Sequence, residues 1–184
     1  MTKIPNEIDT LKAMMAEAGY PIKEKEEERK VDTMENVINL YTDGACRGNQ
    51  HENNLGAFAY LLEYKGHKKE GAWTVENTTN NAMELAAMVS GLNKIRTTDI
   101  PIKLYSDSIY AINCATEWMA NWRAKGYQKK GGLKNRALIM ALDELIQRQD
   151  SVEFIHVKGH SGHPGNEYVD TLCNIEMDKH IVTV

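Results

Sequence analysis

From Val37 onward the chain changes its hydrophobic period, and that change constrains the fold more than any other feature. VINLYTD (37–43), LGAFAYLLEY (55–64) and KKEGAWTV (68–75) follow one another with strand character, and Lys65-Gly66 offers a hairpin turn between the last two. AMELAAMVSGLNKI (82–95) then switches to helical spacing, with Met83, Ala86, Ala87 and Leu92 on one inward stripe. Beyond it strands and helices alternate. IKLYSD (102–107) and VEFIHV (152–157) read as strands; SIYAINCATEWMANW (108–122), LKNRALIMALDELIQRQ (133–149) and EYVDTLCNIEMDKH (167–180) read as helices, the last with Asn166 as its N-cap. Three consecutive strands followed by alternation predict an α/β fold with a five-stranded mixed sheet, three strands antiparallel and then two parallel, flanked by helices.

Residues 1–36 have a different character. Ile8, Leu11, Met14, Met15 and Ala18 fall at helical spacing until Gly19 and Pro21 stop them, and KEKEEERK (23–30) mixes both signs as a solvated linker does. The expected organisation is an N-terminal extension over 1–36, with a short amphipathic helix and a charged linker, ahead of one domain over 37–184. With 184 residues of which 42% are hydrophobic, the chain can bury one sizeable core. The longest apolar run, Leu55 to Leu62, ends at Glu63 and cannot cross a bilayer, and the N-terminus lacks an apolar signal region, so a cytoplasmic protein without membrane contact is expected. Cys46, Cys114 and Cys173 are odd in number and far apart, which argues for reduced thiols over a disulfide framework. His156, His160 and His163 have ligand-like spacing, yet neither a cysteine pair nor an HExxH helix accompanies them, and they read as strand and loop histidines.

The net charge of −4 hides an uneven distribution. Residues 1–36 carry six Lys/Arg against nine Asp/Glu, leaving 16 against 17 for the rest. Within that remainder Arg123, Lys125, Lys129, Lys130, Lys134 and Arg136 form a run free of acids, a local basic face suited to a polyanion.

Four acids fall near element ends on this map. Asp43 closes the first strand, Asp107 closes the fourth, Glu84 lies in the first turn of its helix, and Asp170 lies about one turn into the last helix. Each alone has an ordinary explanation: Asp43-Gly44 is a turn signal, Glu84 can complete a capping box from Asn81, Asp107 suits a helix start, and Asp170 can face solvent. Together they have the chemistry Mg²⁺ requires, hard oxygen ligands that would repel one another unless cations stood between them.

The segments YTDGACRGN (41–49), TTNNAMEL (78–85), LYSDS (104–108) and VKGHSGHPGNEYVD (157–170) closely resemble, in order, the motifs of the type 1 ribonuclease H family. The resemblance covers residues 37 to about 180 and implies a ribonuclease H-like fold, with 37–184 as the catalytic domain. It implies an endoribonuclease that cuts the RNA strand of RNA/DNA hybrids by a two-metal mechanism, leaving 3′-hydroxyl and 5′-phosphate ends. Asp43, Glu84, Asp107 and Asp170 become the carboxylates that bind two Mg²⁺ ions, with Mn²⁺ as a substitute, and His160 becomes the loop histidine that helps protons or product leave. Cys46, Asn49, Asn80 and Asn166 become neighbours of the hybrid backbone, Asn121 and Trp122 meet the DNA strand, and WRAKGYQKKGGLKNR (122–136), with Lys125, Lys129 and Lys130, is similar to the basic protrusion of bacterial members. Tyr127 and Trp122 can pack against sugars or bases, and short amides suit a 2′-hydroxyl.

Three positions depart from the family pattern. QHENN (50–54) replaces a Gly/Pro-rich turn, Ile109 replaces a polar residue after Asp-Ser, and Ala82 replaces a frequent basic residue, so altered substrate affinity is expected. The competing functions are a hybrid-binding module without catalysis and a nuclease of the same fold acting on DNA. The partner implied is an RNA/DNA hybrid bound by a monomer, with residues 1–36 open to a protein partner.

Overall fold

Alternation of period two builds β1 (Ile38–Arg47), β2 (Leu55–Tyr64) and β3 (His67–Glu76) as consecutive antiparallel strands. The computed structural model describes residues 36–48 and 53–182. The helix and charged linker expected over 1–36 lie outside the described residues apart from Asn36, as do Asn49 and the first residues of the QHENN segment. At the β2–β3 hairpin, Lys65 and Gly66 both take positive φ, 47° and 78°, as a two-residue turn between right-twisted strands demands.

β4 (Ile102–Ser106) and β5 (Val152–His156) join in parallel, giving one sheet in the order β3-β2-β1-β4-β5. α1 (Asn80–Lys94) makes the crossover from β3 to β4. Between β4 and β5 come α2 (Ile109–Asn113), a π-helical turn (Cys114–Trp118), α3 (Met119–Ala124) and α4 (Arg136–Gln147); α5 (Pro164–Val182) follows β5. One core lies under α1 and α4, with Leu40, Tyr60, Leu85, Met88, Leu104, Ile139 and Leu142 fully buried. The other lies under α5, where Ala57, Ala59 and Leu61 of β2 meet Val169, Cys173 and Met177. Among the described residues no helix is long and apolar enough to cross a membrane.

Four local expectations change. β1 does not end at Asp43 but runs four residues further, so Asp43-Gly44 is mid-strand and not a turn. α1 starts at Asn80 behind an N-cap from Thr79, whose hydroxyl accepts from the Ala82 N–H at 3.2 Å; Glu84 is therefore the fifth helical residue, one turn in, and completes no capping box from Asn81. α5 starts at Pro164, a residue pre-set for the first helical position, which places Asn166 inside the first turn and not at the cap, and Asp170 nearly two turns in. The helix expected over 108–122 is broken by the π-helical turn, beside which the Thr116 hydroxyl donates to the Ile112 carbonyl at 2.9 Å.

Candidate active site

The parallel pairing of β1 with β4 ends at Tyr41 and Tyr105, and two residues further along the chain stand Asp43, still on β1, and Asp107, just past the end of β4. β1 keeps its pairing to β2 on the other edge, with Asp43 opposite Ala59, while β4 stops at Ser106. The register therefore brings both carboxylates to the place where two adjacent strands part, the position at which α/β sheets hold ligands.

Glu84 reaches the same place because residue 44 is glycine. A methyl group on Gly44 would lie 2.2 Å from the Glu84 nitrogen and 2.3 Å from the Met83 carbonyl carbon, so the strand and α1 touch backbone to backbone. Gly44 is therefore not the turn residue that Asp43-Gly44 suggests. At position 44 the missing side chain admits a helix instead. Carboxylate oxygens of Asp43, Glu84 and Asp107 lie within 4.8 Å of one another. Asp43 and Glu84 are only 6% and 5% exposed.

Asp43 and Glu84 are buried beside other carboxylates, which disfavours the charged form of each. Burial first, then the neighbouring Asp107 and Asp170, push the Asp43 carboxyl up to about 7, against the opposing pull of the Gly44 N–H and Cys173. Glu84 is held well above the usual carboxylate range by burial first and then by Asp43 and Asp107. Its Oε1 accepts from Asn80 Nδ2 at 3.4 Å, while Oε2 is buried with no hydrogen-bond partner. Among the described residues no Lys or Arg pairs with any of the three acids. A buried, unneutralised set of carboxylate oxygens fits a hard divalent cation, which such ligands suit and imidazole or thiolate do not.

Asp170 stands at the rim of this group. Its carboxylate is 32% exposed, close enough to raise Asp43, and its Oδ2 lies 3.9 Å from His160 Nδ1. His160 is 85% exposed by side chain, at φ 51° on the loop joining β5 to α5. That loop presses on Asp107: a methyl group on Gly159 would sit 2.7 Å from Asp107 Oδ2. His163 anchors its far end against the stacked rings of Tyr41 and Tyr105, at centroid distances of 5.6 and 5.4 Å. His156 Nε2 lies 3.3 Å from the Asp107 carbonyl oxygen, so the three histidines have separate environments.

Of the expected hybrid neighbours, Asn80 and Asn166 hold acids. Asn166 is buried and donates from Nδ2 to Asp107 Oδ2 at 3.4 Å. Cys46, on β1, points its thiol to the Thr78 carbonyl at 3.8 Å. Asn121 and Trp122 sit on α3, and Trp122 packs on the main core with its ring edge-to-face against Trp118 at 5.6 Å. Lys125, Lys129 and Lys130 are exposed after α3. Arg123 of the basic run and the neighbouring Tyr127 have another task. Arg123 pairs with the fully buried Asp143, donating from Nε at 2.7 Å and again from Nη2, and the Tyr127 hydroxyl donates to the same carboxylate. Tyr127 is thus an anchor of the protrusion, not a free stacking surface. The sequence reading missed Asp143 because it looks like any solvent-facing acid on a helix.

A mixed sheet with carboxylates clustered where β1 and β4 part is the arrangement of an α/β protein that can hold a divalent cation at its strand ends. Residues 35–177 match the family described as RNase H. A Ribonuclease H of Clostridium botulinum is 45% identical over 149 residues, covering 79% of this chain and 98% of the relative. A Ribonuclease H of Ruthia magnifica subsp. Calyptogena magnifica is 42% identical over 146 residues, covering 78% and 97%. A crystal structure described as a type 1 RNase H with the type 2 active-site motif superposes with a TM-score of 0.68 at 28% identity, over 76% of this chain and 71% of that one. RNase H1 from the halophilic archaeon Halobacterium salinarum superposes with a TM-score of 0.58 at 25% identity, over 78% and 98%. The chain belongs to the RNase H family, on its type 1 branch.

Proposed function

We propose that this protein cuts the RNA strand of RNA/DNA hybrids endonucleolytically, leaving 3′-hydroxyl and 5′-phosphate ends, with Asp43, Glu84, Asp107 and Asp170 holding two Mg²⁺ ions for which Mn²⁺ can substitute. The observation that carries it is the close group of Asp43, Glu84 and Asp107 with the unpartnered Glu84 Oε2, set in a chain of this family. Two such ions supply, when bound, an activated water and stabilisation of the leaving oxygen in an in-line displacement. Asn80 and Asn166 keep the Glu84 and Asp107 oxygens aimed inward. His160, exposed and beside Asp170, takes or gives a proton as product leaves, a role open to an imidazole at the rim of the site. Lys125, Lys129 and Lys130 neutralise phosphates away from the cut, Cys46, Asn121 and Trp122 line the path of the hybrid, and the resemblance adds Asn49 as a substrate contact.

We infer the catalytic unit to be 37–184, with residues 1–36 an appendage that turnover does not need. The test is Mg²⁺-dependent cleavage of an end-labelled RNA/DNA hybrid, run beside single-stranded RNA and both homoduplexes. Cleavage confined to the hybrid is the expected result. Tight binding without cleavage in Mg²⁺ or Mn²⁺ favours a binding module, cleavage of duplex DNA favours a DNA nuclease, and activity surviving Asp43→Asn ends the carboxylate assignment.

A further inference from the structure

We propose that Arg47 and Asn174 are positioning residues for the Asp170 carboxylate. The proposal rests on the reading of Asp170 given above and goes past it, to how a half-exposed acid on a helix is held in one orientation.

An aspartate at the rim of a site can swing between staggered rotamers, and only some of them aim both oxygens usefully. Asn174 lies one turn after Asp170 on α5, where side chains four apart share a face. Its Nδ2 donates to Asp170 Oδ1 at 3.1 Å and to the Asp170 carbonyl at 3.0 Å. With Oδ1 engaged there, Oδ2 is the oxygen that faces His160 Nδ1. Asn174 does this only if its amide nitrogen, and not its oxygen, points at the carboxylate. Arg47 enforces that choice. Its Nη2 donates to Asn174 Oδ1 at 3.1 Å, a contact a flipped amide would turn into donor against donor. A second donation from Nη2 reaches the Asn174 carbonyl at 3.5 Å, and Nη1 pairs with Asp178 Oδ1 at 2.5 Å, one further turn along α5.

Arg47 is the last residue of β1, four after Asp43. One guanidinium therefore ties the strand carrying Asp43 to the stripe Asp170, Asn174 and Asp178 on α5. The Arg47–Asp178 pair is 40% and 68% exposed by side chain, and such surface pairs contribute little to stability. What the network contributes is orientation, as outer partners of metal-binding carboxylates do.

The test uses the full chain with Asn174→Ala, Arg47→Leu, Arg47→Lys and the double variant Arg47→Leu/Asn174→Ala. Four quantities are read: kcat and KM for a labelled hybrid, the half-activating Mg²⁺ concentration, Mn²⁺ binding by calorimetry without substrate, and melting temperature without cations. For Asn174→Ala, kcat falls and half-activating Mg²⁺ rises, each about tenfold, and Mn²⁺ binding weakens in the same sense, while KM and cation-free melting stay at wild type. Arg47→Leu moves the same quantities less, Arg47→Lys recovers part of the loss, and the double variant is no worse than Asn174→Ala, since Arg47 acts through Asn174. Wild-type turnover, Mg²⁺ dependence and Mn²⁺ binding in Asn174→Ala would overturn the proposal; so would additive losses in the double variant, or a fall in melting temperature that accounts for the lost activity. If the wild-type protein leaves hybrid uncut, the functional reading fails, and the Mn²⁺ titration of the same variants still decides whether the network positions Asp170.

Discussion

Asp43 and Glu84 sit almost out of solvent on a strand and a helix whose backbones touch, while Lys125, Lys129 and Lys130 stand exposed on a segment where Gly126, Tyr127, Gly131 and Gly132 all take positive φ. The carboxylate centre is held from several directions: sheet register fixes Asp43 against Asp107, α1 brings Glu84, and α5 and the loop before it bring Asp170, Asn166 and His160. The basic loop hangs from its ends on the bonds that Arg123 and Tyr127 make to Asp143, with Arg136 Nε donating to the Tyr127 carbonyl at 3.3 Å. The contrast suits the roles proposed for the two regions. In-line displacement at a phosphate tolerates little error in position, whereas backbone charge can be met by lysines that move with it.

The largest effect is expected from Asp43→Asn, and it cuts in two directions. Loss of one of the cation-holding oxygens removes several kcal/mol of transition-state stabilisation, so hybrid cleavage falls by about a thousandfold. Stability moves oppositely. The folded Asp43 carboxyl is raised to about 7, above its ordinary value near 4, so the folded state binds the proton more tightly than the unfolded state does. That contribution is complete below about pH 4 and is lost as pH rises towards about 7. Without cations, wild type melts lower at pH 8 than at pH 5.5, and Asp43→Asn flattens that slope and melts higher than wild type at pH 8. Adding Mg²⁺ at pH 8 raises the wild-type melting temperature and leaves the variant nearly still.

Gly44→Ala attacks the same centre through packing. The new methyl meets backbone, which cannot rotate away, so α1 must shift and take Glu84 with it. A displacement near 1 Å costs about a hundredfold in cleavage, and the overpacking costs about 3 kcal/mol in denaturant melts. Wild-type activity in this variant would show that Glu84 tolerates movement.

Asp143→Ala should separate the two regions. It leaves Arg123 and the Tyr127 hydroxyl without their buried partner, and because Arg123 is half exposed the cost is about 2 kcal/mol, less than for a fully buried pair. Hybrid KM rises as the loop loosens, while kcat at saturating hybrid holds. A kcat that falls in step with KM would mean that the loop also shapes the centre. The smallest effect belongs to Lys129→Ala/Lys130→Ala: a few-fold weaker binding, a salt dependence shallower by about two counterions, and unchanged kcat, read from hybrid titrations across salt concentrations.

The sequence showed the carboxylates and the mixed sheet clearly, and the reasons are local. Strand and helix periods are set by near neighbours, so β2, β3, β4 and β5 emerge close to their expected bounds. For β1 the sequence predicts too early an end, because Asp-Gly is a turn signal when only its neighbours are weighed; pairing with Gly56 to Ala59 on β2 overrides it. Thr79 and Pro164, the true starts of α1 and α5, carried legible signals that Asn81 and Asn166 outcompeted. Ile109, noted as a departure, opens α2 with its side chain largely in solvent, and Ala82 only donates its N–H to the cap.

By itself the sequence determined which residue types could serve a cation and a polyanion, and in which order the elements follow. It could not determine that Tyr41 pairs with Tyr105, and hence that Asp43 meets Asp107. It also left open that Gly44 makes room for α1, that Arg123 faces Asp143, and that Arg47 reaches Asn174 across 127 residues. Periodicity and capping are properties of adjacent residues, which the chain displays in its order. Register, close approach and long-range pairing arise only when distant segments pack, so tertiary structure alone decided which acids became a site and which cations became supports.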